Sequence, residues 1–325
     1  MVELPILSFV PLQKELVWGG RKLETYLHKP LPTRGPYGES WELVDLPEDQ
    51  SIVRGGEFDN RSLRTLIQED EAAILGNAHL LDGHFPLLAK FIDAEQTLSV
   101  QVHPDEAACA RINAGARPKT EAWYIIDCEP NAKLYVGLIP GTTRSKLKAA
   151  IESGTVESLL NVVDATPGEF VFLPAGTIHA IGAGILLAEV QQSSDTTYRV
   201  FDWNRMGLDG KPRTLHIEKA LEATNFDTVG KPQCAPPRSG RPGVRSNFFE
   251  MEAVRLEPGT SETLEGDGPL ILMGVAGAGS AAITAHHSTS TMKIGHTRFI
   301  PAEIADKVTL SVQNPFTVLS TRITK

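Results

Sequence analysis

Cysteine is scarce in this sequence, and long uncharged apolar segments are absent. The three cysteines, Cys109, Cys128 and Cys234, are widely separated and form no CxxC pair. This pattern excludes a disulfide framework and favours a reducing compartment. No window approaches the roughly 18 apolar residues of a membrane-spanning helix, and the first 20 residues lack the basic start and apolar stretch of a signal peptide. We therefore expect a cytoplasmic protein that does not engage a membrane.

Positive charge is also in deficit. The chain of 325 residues carries 31 Lys and Arg against 40 Asp and Glu, a net charge of -9. This balance argues against a broad nucleic-acid surface, and any anionic substrate must be held by a local basic cluster. A hydrophobic fraction of 41% supplies a sizeable core for one large domain or two moderate ones.

Short strand-like segments, separated by Gly, Pro and Asp or Asn, are the dominant pattern, which indicates a mainly β protein. They occupy residues 85–91, 98–102, 122–126, 170–173, 185–190, 198–201, 248–256, 270–275, 297–301, 308–312 and 316–323. Helical patterns are fewer and cover residues 61–70, 105–114, 143–153 and 156–162. Thr142 or Thr143 is the expected N-cap of the third helix.

Four polar residues form a candidate metal site. Gln101 and His103 are two apart in a strand-like run, so both side chains point to the same face. Glu121 begins a later run, and His179 follows a Pro/Gly turn three residues after Gly176. A single histidine is more often a packed or surface residue, but the joint set of oxygen and nitrogen donors suits zinc and leaves room for water or substrate.

Three cations accompany these residues. Arg199 follows Glu189 and Asp195 in a polar segment, which we interpret as a loop that presents its planar donor fork at a barrel mouth. A solvated loop, in which Asp195 caps a turn, is the alternative. Lys119 lies two residues before Glu121, and Lys90 interrupts an apolar strand. A charge in such a strand usually has a reason, although an outward-facing, snorkelling lysine is an alternative. The residues alone predict a metal-binding β-barrel with a basic mouth.

From about residue 16 to 205 the sequence resembles class I mannose-6-phosphate isomerases in their shorter bacterial form. The resemblance is carried by residues 18–20 (WGG), 38–42 (GESWE), 86–90 (PLLAK), 98–105 (LSVQVHPD), 119–124 (KTEAWY), 174–179 and 189–199. Residues 168–179 also fit the second cupin motif, G-x5-P-x-G-x2-H, and QxH replaces the usual HxH of the first motif. Pro118 stands where longer members carry a histidine.

The resemblance implies a cupin jelly-roll barrel with inserted helices. From 245 onward the resemblance is loose, and the strand-like runs there predict a second, C-terminal β domain. The catalytic domain would cover 1–235, with helical insertions at about 105–116 and 142–163, and a β domain without metal would cover 245–325. Residues 231–243, which contain four prolines, are typical of a linker between them.

The resemblance also implies an activity, the interconversion of mannose 6-phosphate and fructose 6-phosphate by metal-assisted proton transfer between C1 and C2. The implied ligands of one zinc ion per chain are Gln101, His103, Glu121 and His179. The implied substrate-binding residues are Ser99, Lys90 and Glu189, and the implied catalytic residues are Arg199, Lys119 and Asp195.

Two other functions remain open at this point. A cupin oxygenase that uses iron is one, because a mixed nitrogen and oxygen shell does not exclude iron. A non-catalytic sugar-binding cupin is the other. The Lys, Ser and Arg set favours a phosphosugar, while the catalytic base stays open among Lys119, Asp195, Glu189 and a metal-bound water. The sequence does not predict the oligomeric state.

Overall fold

The computed structural model describes residues 4–32, 34–112, 115–227, 241 and 243–324, and this part of the chain is mainly β. The strands of the N-terminal part are β1 Leu12–Gly20, β2 Tyr37–Leu43, β3 Leu87–Ala94, β4 Val100–Val102, β5 Glu121–Cys128, β6 Lys133–Leu138, β7 Leu160–Asp164, β8 Phe170–Leu173, β9 His179–Ile181, β10 Ile185–Gln192 and β11 Tyr198–Phe201. The strands of the C-terminal part are β12 Gly243–Arg245, β13 Phe249–Leu256, β14 Ser261–Glu265, β15 Leu270–Gly277, β16 Ala281–Ala285, β17 Ser288–Met292, β18 Thr297–Ile300, β19 Lys307–Val312 and β20 Phe316–Ile323.

The N-terminal strands form two antiparallel sheets that pack face to face. The first has the order β1-β2-β3-β10-β5-β8 and the second the order β11-β4-β9-β6-β7. Apolar side chains of both sheets share one buried cluster, in which Trp123 and Ile92 of the first sheet join Val136 and Ile181 of the second. Because alternate residues of a strand face this interior, the sheets can also direct polar side chains from both sides into one site.

The C-terminal strands form two further antiparallel sheets, with the orders β12-β13-β20-β15-β18 and β14-β19-β16-β17. Their apolar faces enclose a second core. The first of these sheets also packs on the N-terminal part, since Phe249 and Phe299 share a cluster with Leu43 and Phe91. The division into two domains therefore remains a prediction, and most of the predicted linker at 231–243 lies outside the described residues.

Six α-helices are described, and they lie between or beside the strands. They are α1 Lys22–Thr25, α2 Leu63–Glu69, α3 Glu71–Leu75, α4 Glu106–Ile112, α5 Arg144–Ser153 and α6 Ile217–Ala223. Thr143 is the N-cap of α5, and its side chain accepts a hydrogen bond from the backbone N–H of Lys146, which confirms one of the two predicted caps. Within the described residues, no helix combines the length and apolarity needed to cross a membrane.

The helix predicted over 156–162 is wrong in its second half. A short 3-10 helix covers Val156–Leu159, after which the chain becomes strand β7. This strand pairs with β6, where Leu134 lies opposite Val163 and Tyr135 lies opposite Val162. Hydrogen bonds to a segment distant in sequence outweigh the local helical pattern here.

Candidate functional site

Three side chains converge in the interior between the two N-terminal sheets. Glu121 is the first residue of β5, His179 is the first of β9, and His103 directly follows β4. The Nε2 of His179 lies 3.1 Å from one carboxylate oxygen of Glu121, and the Nε2 of His103 lies 3.4 Å from the other. All three side chains are fully buried, and their potential ligand atoms lie within 4.8 Å of one another.

Backbone carbonyls fix the orientation of both histidines. The Nδ1 of His103 lies 2.8 Å from the carbonyl oxygen of Thr196, and the Nδ1 of His179 lies 2.9 Å from that of Thr177. A carbonyl only accepts hydrogen bonds, so each Nδ1 carries the proton and each Nε2 keeps its lone pair. Both lone pairs are thus available on the side that faces Glu121, as in histidines that bind a metal.

Glu121 supplies negative charge to this cluster. Burial alone would raise its pKa, but Lys119, His103 and His179 outweigh that effect and hold the pKa well below its usual range. Its carboxylate is buried, and in the described chain its polar neighbours are the Lys119 ammonium group at 2.8 Å and the two Nε2 atoms of the histidines. A buried carboxylate and two imidazole lone pairs that are directed at one point can bind a divalent metal ion.

Gln101 completes the predicted set. It lies opposite His179 in the pairing of β4 with β9, and its Nε2 is 3.2 Å from the Nε2 of His179. Because the two ends of an amide differ only by a 180° rotation, the same side chain can direct its oxygen to a bound ion. The structure therefore brings together all four predicted metal ligands.

A row of alternating charges runs across the first sheet beside this cluster. Lys90 lies opposite Glu189 in the pairing of β3 with β10, and its ammonium is 3.1 Å from Glu189 and 3.3 Å from Glu39. Lys119 lies 2.8 Å from Glu121 and 3.6 Å from Glu189. Lys90 is thus buried and paired, and the interpretation as an outward-facing, snorkelling lysine is wrong.

The two carboxylates keep Lys90 charged. Burial opposes its charge, but Glu189 and Glu39 outweigh burial and raise its pKa above the ordinary value. Trp123 donates a hydrogen bond to Glu189 at 2.8 Å, and Trp41 donates one to Glu39 at 2.6 Å. These indoles fix the carboxylates, and the carboxylates fix the ammonium group.

Arg199 and Ser99 form a separate group on the second sheet. Arg199 lies in β11 opposite Gln101, as the strand predicted over 198–201 requires, so the interpretation of Arg199 as a loop residue is wrong. Its Nε donates to the hydroxyl of Ser99 at 3.3 Å. No hydrogen bond or ion pair in the described chain joins this group to Lys90. Asp195 keeps solvent-exposed surface, but the protein around its carboxylate partly desolvates it and raises its pKa, whereas Lys90 and Lys119 act in the opposite direction.

Glu39 is a site residue that the sequence interpretation missed. It lies within residues 38–42, and the alternation of Glu39 and Trp41 with Ser40 and Glu42 could have indicated two polar strand faces. Its distance of 51 residues from Lys90 in the sequence gave no sign that the two would pair.

Comparison with known proteins gives a consistent result. Residues 6–132 match the family model of the type I phosphomannose isomerase catalytic domain. The mannose-6-phosphate isomerase ManA of Bacillus subtilis is 40% identical over 224 residues, which are 69% of each chain. YvyI of the same organism, provisionally named for the same activity, is 33% identical over 94% of this chain and 96% of its own.

The fold agrees with these sequence relationships. The crystal structure of mannose 6-phosphate isomerase from Bacillus subtilis superimposes with a TM-score of 0.86 and 29% identity, covering 98% of this chain and all of that one. The predicted mainly β, cupin-type fold is therefore confirmed. The paired sheets and the buried His/Glu/His group define a cupin with a candidate metal site. Within that class, the chain belongs to the mannose-6-phosphate isomerase family.

Proposed function

We propose that this protein interconverts mannose 6-phosphate and fructose 6-phosphate with one divalent ion, zinc, held by Gln101, His103, Glu121 and His179. Membership of the family supports the reaction. The observation that carries the metal is the convergence of two Nε2 lone pairs on the buried carboxylate of Glu121. The donor set of imidazole, carboxylate and amide oxygen suits zinc. We place the reaction in the cytoplasm, where Cys109 and Cys128, both free, stay reduced.

The chemistry requires stabilisation of an oxyanion as the proton moves between C1 and C2. An ion at this position would polarise the sugar oxygens. Lys119, next to Glu121 and His103, supplies a fixed positive charge at the same end of the substrate. Arg199 adds a second cation from the opposite sheet, and such preorganised charge favours the transition state over the ground state.

Substrate binding falls to Ser99 and Lys90 in this proposal. Both are buried and offer donors to a phosphosugar, whose anionic group the overall charge of -9 would otherwise repel. Glu189 contacts both Lys90 and Lys119 and so fixes the spacing of these two lysines. The contact between Ser99 and Arg199 also supports a shared role for these two residues on one part of the substrate.

Asp195 is the proposed general base. Its carboxylate makes no hydrogen bond within the described chain, and its raised pKa strengthens it as a proton acceptor near neutral pH. The next residue, Thr196, accepts the hydrogen bond from His103, so the segment is tied to the candidate metal site. Asp195→Asn should lower kcat by at least about 100-fold, the usual contribution of a general base, while bound metal stays at the wild-type level.

The decisive experiment measures isomerisation of mannose 6-phosphate before chelation, after chelation and after zinc is added back. Activity that is lost and then restored supports both the reaction and the metal. His103→Ala should abolish the restoration, whereas His287→Ala, at an exposed site, should not. A zinc-loaded protein without turnover would contradict the proposal. Oxygen uptake by iron-loaded protein would then indicate an oxygenase, and sugar binding without turnover a binding protein.

A further inference from the structure

Arg199 is held from outside the site by residues 214–216. Strand β11 is an edge strand, so only one side of Arg199 faces β4. On the free edge, the backbone N–H of His216 donates to the carbonyl of Arg199 at 2.8 Å, and the backbone N–H of Arg199 donates to the Nδ1 of His216 at 3.2 Å. Arg199 also donates from its guanidinium to the carbonyl of Thr214 at 3.0 Å.

These contacts determine how Arg199 meets Gln101. In an antiparallel pair, opposed residues either exchange both backbone hydrogen bonds or exchange none, and the second kind brings their side chains closer. The backbone N–H and carbonyl of Arg199 are both directed at His216. Arg199 and Gln101 are therefore a pair that exchanges no backbone hydrogen bonds, and their side chains lie close together. The imidazole thus takes the place of a strand partner for the residue opposite a proposed metal ligand.

The position of His216 is itself fixed by packing. It immediately precedes α6, and Ala220 and Leu221 of that helix pack in one cluster with Val100 and Tyr198. The imidazole also makes an edge contact with the Tyr198 ring, at 6.0 Å between centroids. The acceptor for Arg199 is therefore positioned by the body of the second sheet.

The hydrogen bond requires an unprotonated Nδ1, and the surroundings favour that state. Burial, followed by the positive charges of Arg199 and Lys219, lowers the pKa of His216 below its ordinary value. A second proton on the ring would remove the acceptor and place a positive charge beside Arg199.

We propose that His216 is a positioning residue, whose Nδ1 holds the backbone of Arg199 so that the guanidinium lies at the proposed isomerase site. This inference rests on the proposed function, in which Arg199 stabilises developing negative charge. His216 touches neither the substrate nor the metal in this scheme. Its loss should therefore lower kcat, with little change in KM or in bound metal.

The test compares His216→Ala with His216→Asn, because an asparagine oxygen can replace the Nδ1 acceptor. Against mannose 6-phosphate, the alanine variant should lose about tenfold in kcat, comparable to one hydrogen bond, and the asparagine variant should recover to within about threefold of wild type. In an Arg199→Ala background, His216→Ala should change kcat less than about twofold. His287→Asn is the matched control.

Either of two results would overturn the inference. One is wild-type kcat in a folded His216→Ala protein. The other is a loss of the same size with and without Arg199, which would mean that His216 acts through another group. If the alanine variant does not fold, failure of the asparagine variant to keep at least a third of wild-type kcat has the same meaning. A zinc-loaded wild type without turnover is a different result, since it would refute the proposed function itself.

Discussion

The ammonium group of Lys29 lies 2.7 Å from the carboxylate of Glu42, and the side chains are only 5% and 3% exposed. Lys29 also donates to the carbonyl of Gly295 at 2.6 Å. Glu42 accepts hydrogen bonds from Ser40 at 2.6 Å and from Thr297 at 3.0 Å. This buried ion pair therefore joins β2 of the N-terminal part to β18 and its preceding turn in the C-terminal part.

Removing one partner should destabilise the protein strongly. Glu42→Leu leaves the Lys29 charge buried and unpaired, and we expect the free energy of unfolding to fall by about 3–5 kcal/mol. Urea unfolding followed by fluorescence measures this change. The double variant Lys29→Met/Glu42→Leu should regain much of the loss. The exposed pair Lys148–Glu218 is the control, and Glu218→Leu should leave the free energy of unfolding almost unchanged, because solvent screens a surface pair. If Glu42→Leu and Glu218→Leu lowered the free energy of unfolding equally, this expectation would be contradicted.

Metal binding should depend on Glu121. After dialysis against zinc, Glu121→Ala should retain almost no metal by elemental analysis and no measurable isomerase activity, because the only carboxylate of the cluster is gone. Glu129→Ala, one residue beyond the other end of β5 and 63% exposed, should bind metal as wild type does. Stoichiometric zinc in the Glu121 variant would place the metal elsewhere.

Lys90 should contribute to substrate binding without affecting the metal. Lys90→Met removes a buried cation from between Glu39 and Glu189, and kcat/KM should fall by roughly 100-fold or more. Zinc content should stay unchanged, because no predicted ligand contacts Lys90 in the described chain. Lys133→Met, at an exposed position paired with Asp164, is the matched substitution. Wild-type kinetics in Lys90→Met would remove this residue from the site.

His296 should make stability depend on pH. Burial, then Arg298 and Lys29, lower its pKa from 6.5 to about 4, and its Nδ1 lies 3.3 Å from the Arg298 guanidinium. Between pH 6.5 and 4 the unfolded chain binds a proton that the native ring does not, so acidification through this window lowers the free energy of unfolding.

The comparison of His296→Gln with wild type isolates this contribution. The half-buried ring should account for about 1–2 kcal/mol of the loss between pH 7 and pH 4.5. The glutamine variant should therefore lose that much less stability over the same range in urea unfolding. His287→Gln, at an exposed ring, should follow wild type. A His296 variant that also follows wild type would show that this ring titrates normally.

Much of the fold could be predicted from local sequence patterns. Strands 170–173, 198–201 and 316–323 were predicted with the observed bounds, because an alternating or apolar run between turn residues is a local signal. Strand β7 was not, since it depends on a partner in β6. The sequence interpretation also missed α6. It missed the hairpin of β16 and β17 because the small and polar residues of these strands give a weak pattern.

The candidate site, like the fold, could be predicted only in part from the sequence. Gln101 and His103 could be paired from their spacing, and Glu121 and His179 were grouped with them as donors at a strand start and after a Pro/Gly turn. The family resemblance implied the same four ligands. The pairing of Lys90 with Glu39 depends on which strands become neighbours, and that of Arg199 with His216 depends on where α6 packs against β11. Long-range pairing of this kind leaves no trace in the spacing of one sequence.

The two faces of the seven-residue strand β2 hold two different buried lysines. Glu39 and Trp41 face Lys90, whereas Ser40 and Glu42 face Lys29 and Thr297. A slip of one residue in this strand would exchange the two sets, leaving Lys90 without its tryptophan-held carboxylate and Lys29 without its counter-ion. The same alternation that builds the pocket thus specifies the register of the strand, because a slip would separate both buried lysines from the carboxylates that now hold them.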